Sequence, residues 1–189
     1  MDFIERIKNG DVLVSDGATG TNLQQRGLAR GEATESWVLN RPQEILALAQ
    51  SFVAAGADLI LTCTFGATSI RLQAANLQDH VEAINLRAVE IARQAMSPSK
   101  GFVAGSIGPT GQMLQPYGTL SYDEAFAAYK QQAALLAQAG VDLLVIETQF
   151  DINEAKAAVM AVRSVSDLPL VCSVSFDRGK RTMMGVSPA

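Results

Sequence analysis

The sequence predicts an α/β fold built on a parallel sheet, and three observations carry that reading. Short unbroken apolar runs recur along the chain, longer segments with helical periodicity separate them, and one helix-Gly-x-Asp-strand-Thr plan occurs twice. Unbroken runs suit strands covered on both faces. Strand–helix–strand alternation suits right-handed crossovers between parallel strands.

The first strand is expected at Val12 to Ser15, leading straight into Asp16-Gly-Ala-Thr-Gly20. A helix follows Pro42, a residue suited to a first helical turn, with Ile45, Ala49, Phe52 and Val53 as its apolar stripe. The second strand is expected at Leu59 to Thr64. The next helix turns Val81, Ile84, Ala88, Ile91, Ala92 and Ala95 to one side. Phe102 to Ile107 reads as the third strand, and Ser121-Tyr-Asp-Glu124 opens a helix that closes at Gly140. Leu143 to Glu147 reads as the fourth, followed by a helix opening at Asp151-Ile-Asn-Glu154. Both openings set a capping side chain three residues before a Glu, which satisfies orphan N–H groups. The fifth run is Leu170 to Phe176, and TMMGVSPA beyond it carries no capped element.

The repeated plan is Ala55-Gly-Ala-Asp-Leu-Ile-Leu-Thr-Cys-Thr64 and Ala139-Gly-Val-Asp-Leu-Leu-Val-Ile-Glu-Thr148. Gly56 and Gly140 read as helix ends, and the copies differ where Cys63 is replaced by Glu147. No linker or change of composition divides residues 1–189, so one domain is expected. A complete (β/α)8 barrel usually needs ~250 residues, whereas an open doubly wound sheet can be complete at this size.

Composition narrows the function classes. The chain has 189 residues, 48% hydrophobic and 18% charged, with a net charge of -4. That is enough apolar material for a core, and the acidic balance argues against nucleic acid. The one loose basic cluster, Arg178-Gly-Lys180-Arg181, reads as a solvated turn. No run reaches the ~20 apolar residues of a membrane span, and MDFIERIKNGD carries charges where a signal peptide is apolar. Cys63 and Cys172 both fall in strand-like runs and read as buried small hydrophobes in a reducing cytoplasm. With His80 as the sole histidine, no closed zinc site and no Ser-His-Asp or Cys-His arrangement is expected.

In parallel α/β folds, ligands meet the loops after the strands' carboxyl ends. Those positions hold Asp16-Gly-Ala-Thr-Gly20, Thr62-Cys-Thr-Phe65, Ser106-Ile-Gly-Pro109 and Glu147-Thr148. The glycine-rich turn is either a plain turn or a cradle of N–H groups for a carboxylate or phosphate. It lacks both the dinucleotide spacing and the phosphate-loop lysine. Asp16 and Glu147 on one rim either cap neighbouring turns or hold a cation. Two carboxylates beside an N–H-rich turn suit an α-amino acid.

Taken together, DGATGTNLQQRG, LILTCTFGATSIRL, GSIGPTGQML and IETQFDINEAKAA, in this order and spacing, resemble the homocysteine S-methyltransferase family. Within it, the pattern is most similar to the N-terminal homocysteine-binding domain of the cobalamin-dependent methionine synthases. The resemblance runs from about Ile7 to the end of the chain. It implies a (β/α)8 TIM barrel, of which about five βα units are expected here. It also implies methyl transfer to the thiol of homocysteine, giving methionine. By residue match, Asp16 and Glu147 hold the substrate amine, the Gly17–Thr19 turn receives its carboxylate on the backbone around Ala18 and Thr19, and Thr62 and Thr64 form pocket wall with Phe65.

The resemblance further implies a zinc ion held by three cysteines, which keeps the homocysteine sulfur as the nucleophilic thiolate. The family's Gly-x-Asn-Cys and Gly-Gly-Cys-Cys ligand segments do not occur in this sequence, and neither Cys63 nor Cys172 matches them. No catalytic and no metal-ligating residue is therefore assigned, and the chain is expected to be the N-terminal part of such a barrel, inactive alone. The methyl donor, methylcobalamin or another, is not expected to bind this segment, although a cobalamin-binding domain is an expected partner. Open strand edges would favour self-association. The alternatives are a corrinoid-dependent methylamine-type demethylase and a non-catalytic amino-acid-binding or assembly fragment.

Overall fold

A computed structural model describes residues 2–97, 99–177 and 179–188. The element order is α1 (Phe3–Lys8), α2 (Thr19–Gln25), α3 (Ser36–Asn40), α4 (Pro42–Ala54), β1 (Leu59–Leu61) and α5 (Ser69–Gln73). A 3-10 turn at Gln78–His80 leads into α6 (Val81–Met96), β2 (Phe102–Ile107), α7 (Tyr122–Gln138), β3 (Leu143–Gln149), α8 (Ile152–Arg163) and β4 (Leu170–Val174). All strand pairs are parallel and the order is β1-β2-β3-β4, the sequential arrangement of a (β/α)8 barrel, of which these units form an arc.

The first expected strand is a correction. Val12 to Ser15 makes a single parallel bridge, Ser15 to Leu59, in place of a ladder. Val12 is 88% exposed and Val14 55%, so this run is not covered on both faces as its apolar character suggests. It is nonetheless held beside β1, since the Asp16 amide donates to the Leu59 carbonyl and the Asp58 amide to that of Val14. Asp16 therefore still reaches the carboxyl end of the sheet. The second and fifth runs are also shorter than expected, ending at Leu61 and Val174, while the fourth extends to Gln149.

Two hydrophobic layers flank the sheet. On the helical side, Ile60, Val103, Ile107, Leu144 and Ile146 pack against Val89, Ala92, Tyr129, Leu136 and Val162. The predicted α6 stripe is buried throughout, and α4 buries Ile45 and Leu48. On the other side, Phe102, Ala104 and Leu143 pack with Leu13, Leu59, Leu61 and Val145. Helix α1, started by an Asp2–Glu5 capping box, closes the amino end of this inner face. Its Phe3 meets Phe102 edge-on at 5.6 Å, and Arg6 pairs with Asp58 at 3.1 Å.

The repeated Gly-x-Asp plan has one structural job. Gly56 and Gly140 take left-handed conformations (φ 97° and 87°) and close α4 and α7. Each following Asp then bonds the amide of the neighbouring chain segment. Asp58 Oδ2 accepts from the Val14 amide at 3.0 Å, and Asp142 Oδ2 accepts from the Val103 amide at 2.7 Å. Each also meets an arginine, Arg6 or Arg93.

The two capping predictions diverge. Ser121 and Glu124 form the full box at α7. At α8, Asp151 caps through the Asn153 amide, while Glu154 turns inward to other partners. Cys63 is buried as expected, but Cys172 is exposed, because β4 is the last strand in the sheet and no strand pairs its outer edge among the described residues. Of the basic cluster, Arg178 lies outside the described residues. Lys180 and Arg181 are exposed in a turn where Arg181 donates to the Gly185 carbonyl at 2.7 Å.

Asp142→Ala leaves the fully buried Val103 N–H without its acceptor and should lower the unfolding free energy by about 2 kcal/mol. Asp58→Ala should lower it less, because Val14 can reach water. Urea denaturation of both variants checks the order, and equal losses would count against it.

Candidate functional site

At the carboxyl end of the strands a cavity of about 730 Å³ opens. Its walls include Gly17, Ala18 and Thr19 from the first turn, Thr62 and Phe65 after β1, Ser106 on β2, Thr110 and Gly111 beyond it, and Glu147 on β3. Three loops that are distant in sequence therefore converge where parallel α/β folds place ligands.

Glu147 is fixed from the neighbouring strand, with the Ser106 hydroxyl donating to Oε1 at 2.5 Å. Ser106 is held in turn. Its amide donates to Thr62 Oγ1 at 3.0 Å, Thr62 and Thr64 share a hydroxyl bond of 2.6 Å, and Thr64 donates to the Ser106 carbonyl at 2.7 Å. Behind them Gln132 Nε2 donates to the Thr64 carbonyl at 2.8 Å. The Thr-x-Thr pair thus acts as a polar cross-tie between β1 and β2. Thr62 reaches the cavity wall, whereas Thr64 is fully buried behind it.

Asp16 sits beside this wall, in a narrow crevice of about 20 Å³ with Thr19, Phe52 and Leu61. Its Oδ2 accepts from the Leu61 amide at 2.9 Å and its Oδ1 from Ser15 at 3.1 Å. Burial, with the nearby Glu147 charge adding to it, pushes the Asp16 carboxyl up to about 6 despite those donors. Asp16 and Glu147, paired by the sequence reading, are therefore close enough to repel one another. A cation between them would relieve that repulsion.

The Gly17–Gly20 turn leads into α2. Ala18 is the N-cap, and no side chain caps the helix there. The opening amides, flanked by cavity-lining Gly17, Ala18, Thr19 and Gly20, have no side-chain acceptor from the cap residue.

Beyond Glu147, Thr148 adopts φ 61°, a left-handed conformation that β-branched residues rarely take. The ladder with β4 shifts register between Ile146 and Gln149. The strain is thus stored one residue from the rim carboxylate.

Several contributors have no local sequence signal. Glu35 is 4% exposed, lines the cavity and accepts from the Gly66 amide at 2.6 Å. Arg71 also lines it, with its guanidinium 5.6 Å over the Phe65 ring. Glu154 is 1% exposed and its Oε1 accepts from the Thr110 amide, the Thr110 hydroxyl and the Tyr129 hydroxyl, all at 2.7 Å, which anchors the cavity-lining loop after β2. Tyr129's hydroxyl is pushed up by burial and by Glu154. Ser106 lay within a candidate segment, but its role as the holder of Glu147 needs the β2–β3 pairing to be seen.

Cys63 donates weakly to the Thr34 carbonyl at 3.8 Å, and burial together with Glu35 pushes its thiol up, so it stays protonated. Among the described residues no group of three His, Cys, Asp or Glu side chains could hold a metal ion. No helix among them is long and apolar enough to cross a membrane.

The raised Asp16 carboxyl has a pH signature. Between about pH 4 and 6 the unfolded chain ionises this group while the folded chain keeps its proton, so its contribution to stability falls as pH rises. Asp16→Asn should therefore gain on the wild type between pH 4 and 7, by about 2 kcal/mol at the upper end. Thermal melts of both proteins at the two pH values measure this, and a pH-independent difference would refute it.

Comparison with known proteins bears on the family and the fold. The homocysteine S-methyltransferase family model matches residues 13–189. The Escherichia coli homocysteine methyltransferase MmuM in its metallated form is similar at 23% identity with a TM-score of 0.83, covering 97% of this chain and 69% of that one. Its oxidized form is similar at 25% identity and a TM-score of 0.82, covering 96% and 68%. The apo form gives 22% identity and 0.72, covering 96% and 66%. With the family model spanning nearly the whole chain, the protein belongs to the homocysteine S-methyltransferase family.

Proposed function

We propose that this chain binds homocysteine as the acceptor in methyl transfer that gives methionine. The observation that carries the reading is Glu147, fixed by Ser106 at the cavity wall next to the raised carboxyl of Asp16. An ammonium group between the two would neutralise their repulsion and draw Asp16 into its ionised form. The substrate carboxylate would lie against the Gly17–Thr19 backbone, where the cap residue leaves the amides of α2 free of a side-chain acceptor. Thr62 shapes the wall, and Thr64 supports it from behind.

In S-methyl transfer the homocysteine sulfur forms a bond to the methyl carbon. The donor–methyl bond breaks, and its electron pair leaves with the donor. The sulfur must shed its proton first, because the thiolate is the nucleophile. Zinc is the expected agent for this, in line with the metallated state of the E. coli relative. The residues described here do not fit that ion. Cys63 is buried with a protonated thiol, Cys172 is exposed on β4, and no three-ligand cluster is present among the described residues. This chain's part in the reaction is accordingly amino-acid recognition, and zinc activation and turnover are not assigned to its residues.

A methionine synthase type of reaction, with a cobalamin-binding partner, remains within this proposal as the branch that the motifs resemble. The free cysteines support the expected cytoplasmic setting. Exposed Val12, Val14 and Val171 support self-association.

Titration calorimetry with homocysteine tests the reading. Glu147→Gln should weaken binding by about tenfold or more, through loss of one charge-assisted bond to the ammonium. The analogue 4-mercaptobutyrate, which lacks the amine, should bind wild type and variant alike. Equal homocysteine affinity for both proteins would contradict the assignment.

A further inference from the structure

Helix α7 turns a neutral amide into an otherwise apolar layer. Its buried face includes Ala128, Tyr129, Ala133 and Leu136, and Gln132 stands where that stripe calls for a hydrophobe. Gln132 is 0% exposed, so it cannot touch a ligand in the cavity. A buried amide is costly unless both of its ends are bonded, and here the oxygen has no donor among the described residues. An apolar side chain of the same length would leave no such orphan.

The nitrogen end shows what the amide is for. Nε2 donates to the Thr64 carbonyl at 2.8 Å and to the Ser106 carbonyl at 3.3 Å. Two carbonyls can be met only by the NH₂ end, which fixes the amide's orientation. Both acceptors lie just past the end of the β1–β2 ladder. Leu61 and Ala104 are the last paired positions, and the Thr62 amide makes the next bond, to the Ala104 carbonyl at 2.9 Å. From there side chains take over from backbone. The Ser106 amide donates to Thr62 Oγ1, and its carbonyl accepts from Thr64 Oγ1 and Gln132 Nε2. The two threonines belong to the chain segment after β1. Gln132 comes from the helix layer behind the sheet and ties that segment and Ser106 to one rigid element. The Ser106 hydroxyl then holds Glu147 Oε1.

We propose that Gln132 is a positioning residue for recognition of the substrate ammonium, acting through Ser106 on Glu147. This rests on the acceptor reading above and extends it to a side chain that no ligand touches. The buried amide, with its unbonded oxygen, is kept for the placement of a carboxylate two strands away rather than for stability.

A double-mutant cycle read by titration calorimetry tests this, with homocysteine and 4-mercaptobutyrate as ligands. Gln132→Met should weaken homocysteine about fivefold and leave the amine-free analogue within about twofold. In the Glu147→Gln background, Gln132→Met should change homocysteine affinity by less than about twofold. Thr64→Val, which removes the other side-chain donor to the Ser106 carbonyl, should show the same pattern. It serves in place of Gln132→Met if circular dichroism shows that variant unfolded. A merely structural Gln132 would weaken both ligands alike, and that outcome overturns the proposal. So does unchanged homocysteine affinity in Gln132→Met, or losses that add in the double variant. If Glu147→Gln alone costs nothing, the acceptor reading fails and this proposal with it.

Discussion

Two carboxylates are brought together at the carboxyl end of a parallel sheet, and the surrounding polar structure is arranged to hold them there. Left alone, Asp16 and Glu147 repel, and burial makes ionised Asp16 unfavourable. The fold answers with bonds that position both groups without neutralising them. Asp16 takes the Leu61 amide, and Glu147 takes the Ser106 hydroxyl. Behind Ser106, the Thr62–Thr64 cross-tie and Gln132 lock the ends of β1 and β2 into one register. Among the described residues neither carboxylate is in an ion pair.

The parts of the molecule away from this rim serve rigidity. The Gly-x-Asp device is used twice, each time ending a helix and bonding the amide of a neighbouring chain segment. Helix α1 closes the inner face at the opposite end through Phe3 and Arg6. Glu154 is a buried carboxylate with three donors on a single oxygen, and it ties the loop after β2 to α7 and α8. The strained backbone at Thr148 sits next to the end of β3, where its amide donates to Ser173 Oγ at 3.3 Å and Gln149 still pairs with Val174.

Much of this was legible in the sequence where local pattern and tertiary outcome agree. The apolar runs of β2 and β3, the α6 stripe and the Ser121 box all work within a few residues of themselves. The pairing of Asp16 with Glu147 was legible because strand ends share a rim in this architecture. What escaped depended on distant partners. Val12 to Ser15 has a strand's composition but only one neighbour to bridge, and Cys172 lies on the last strand of the sheet. Glu154 sits in the same spacing as Glu124, yet Thr110 and Tyr129 outcompete its own helix end. Helices α2, α3 and α5 span seven, five and five residues, too short for periodicity to register. The roles of Ser106, Glu35 and Arg71 come from strand pairing and loop convergence, which no single segment encodes.

The central claim is that Asp16 and Glu147 together form an ammonium seat. Carbon-detected NMR titration of the Asp16 carboxyl, in the free chain and with homocysteine bound, tests it most directly. The account predicts a midpoint near 6 in the free protein that moves well downward when homocysteine binds. A midpoint that is unchanged or raised in the complex would contradict it.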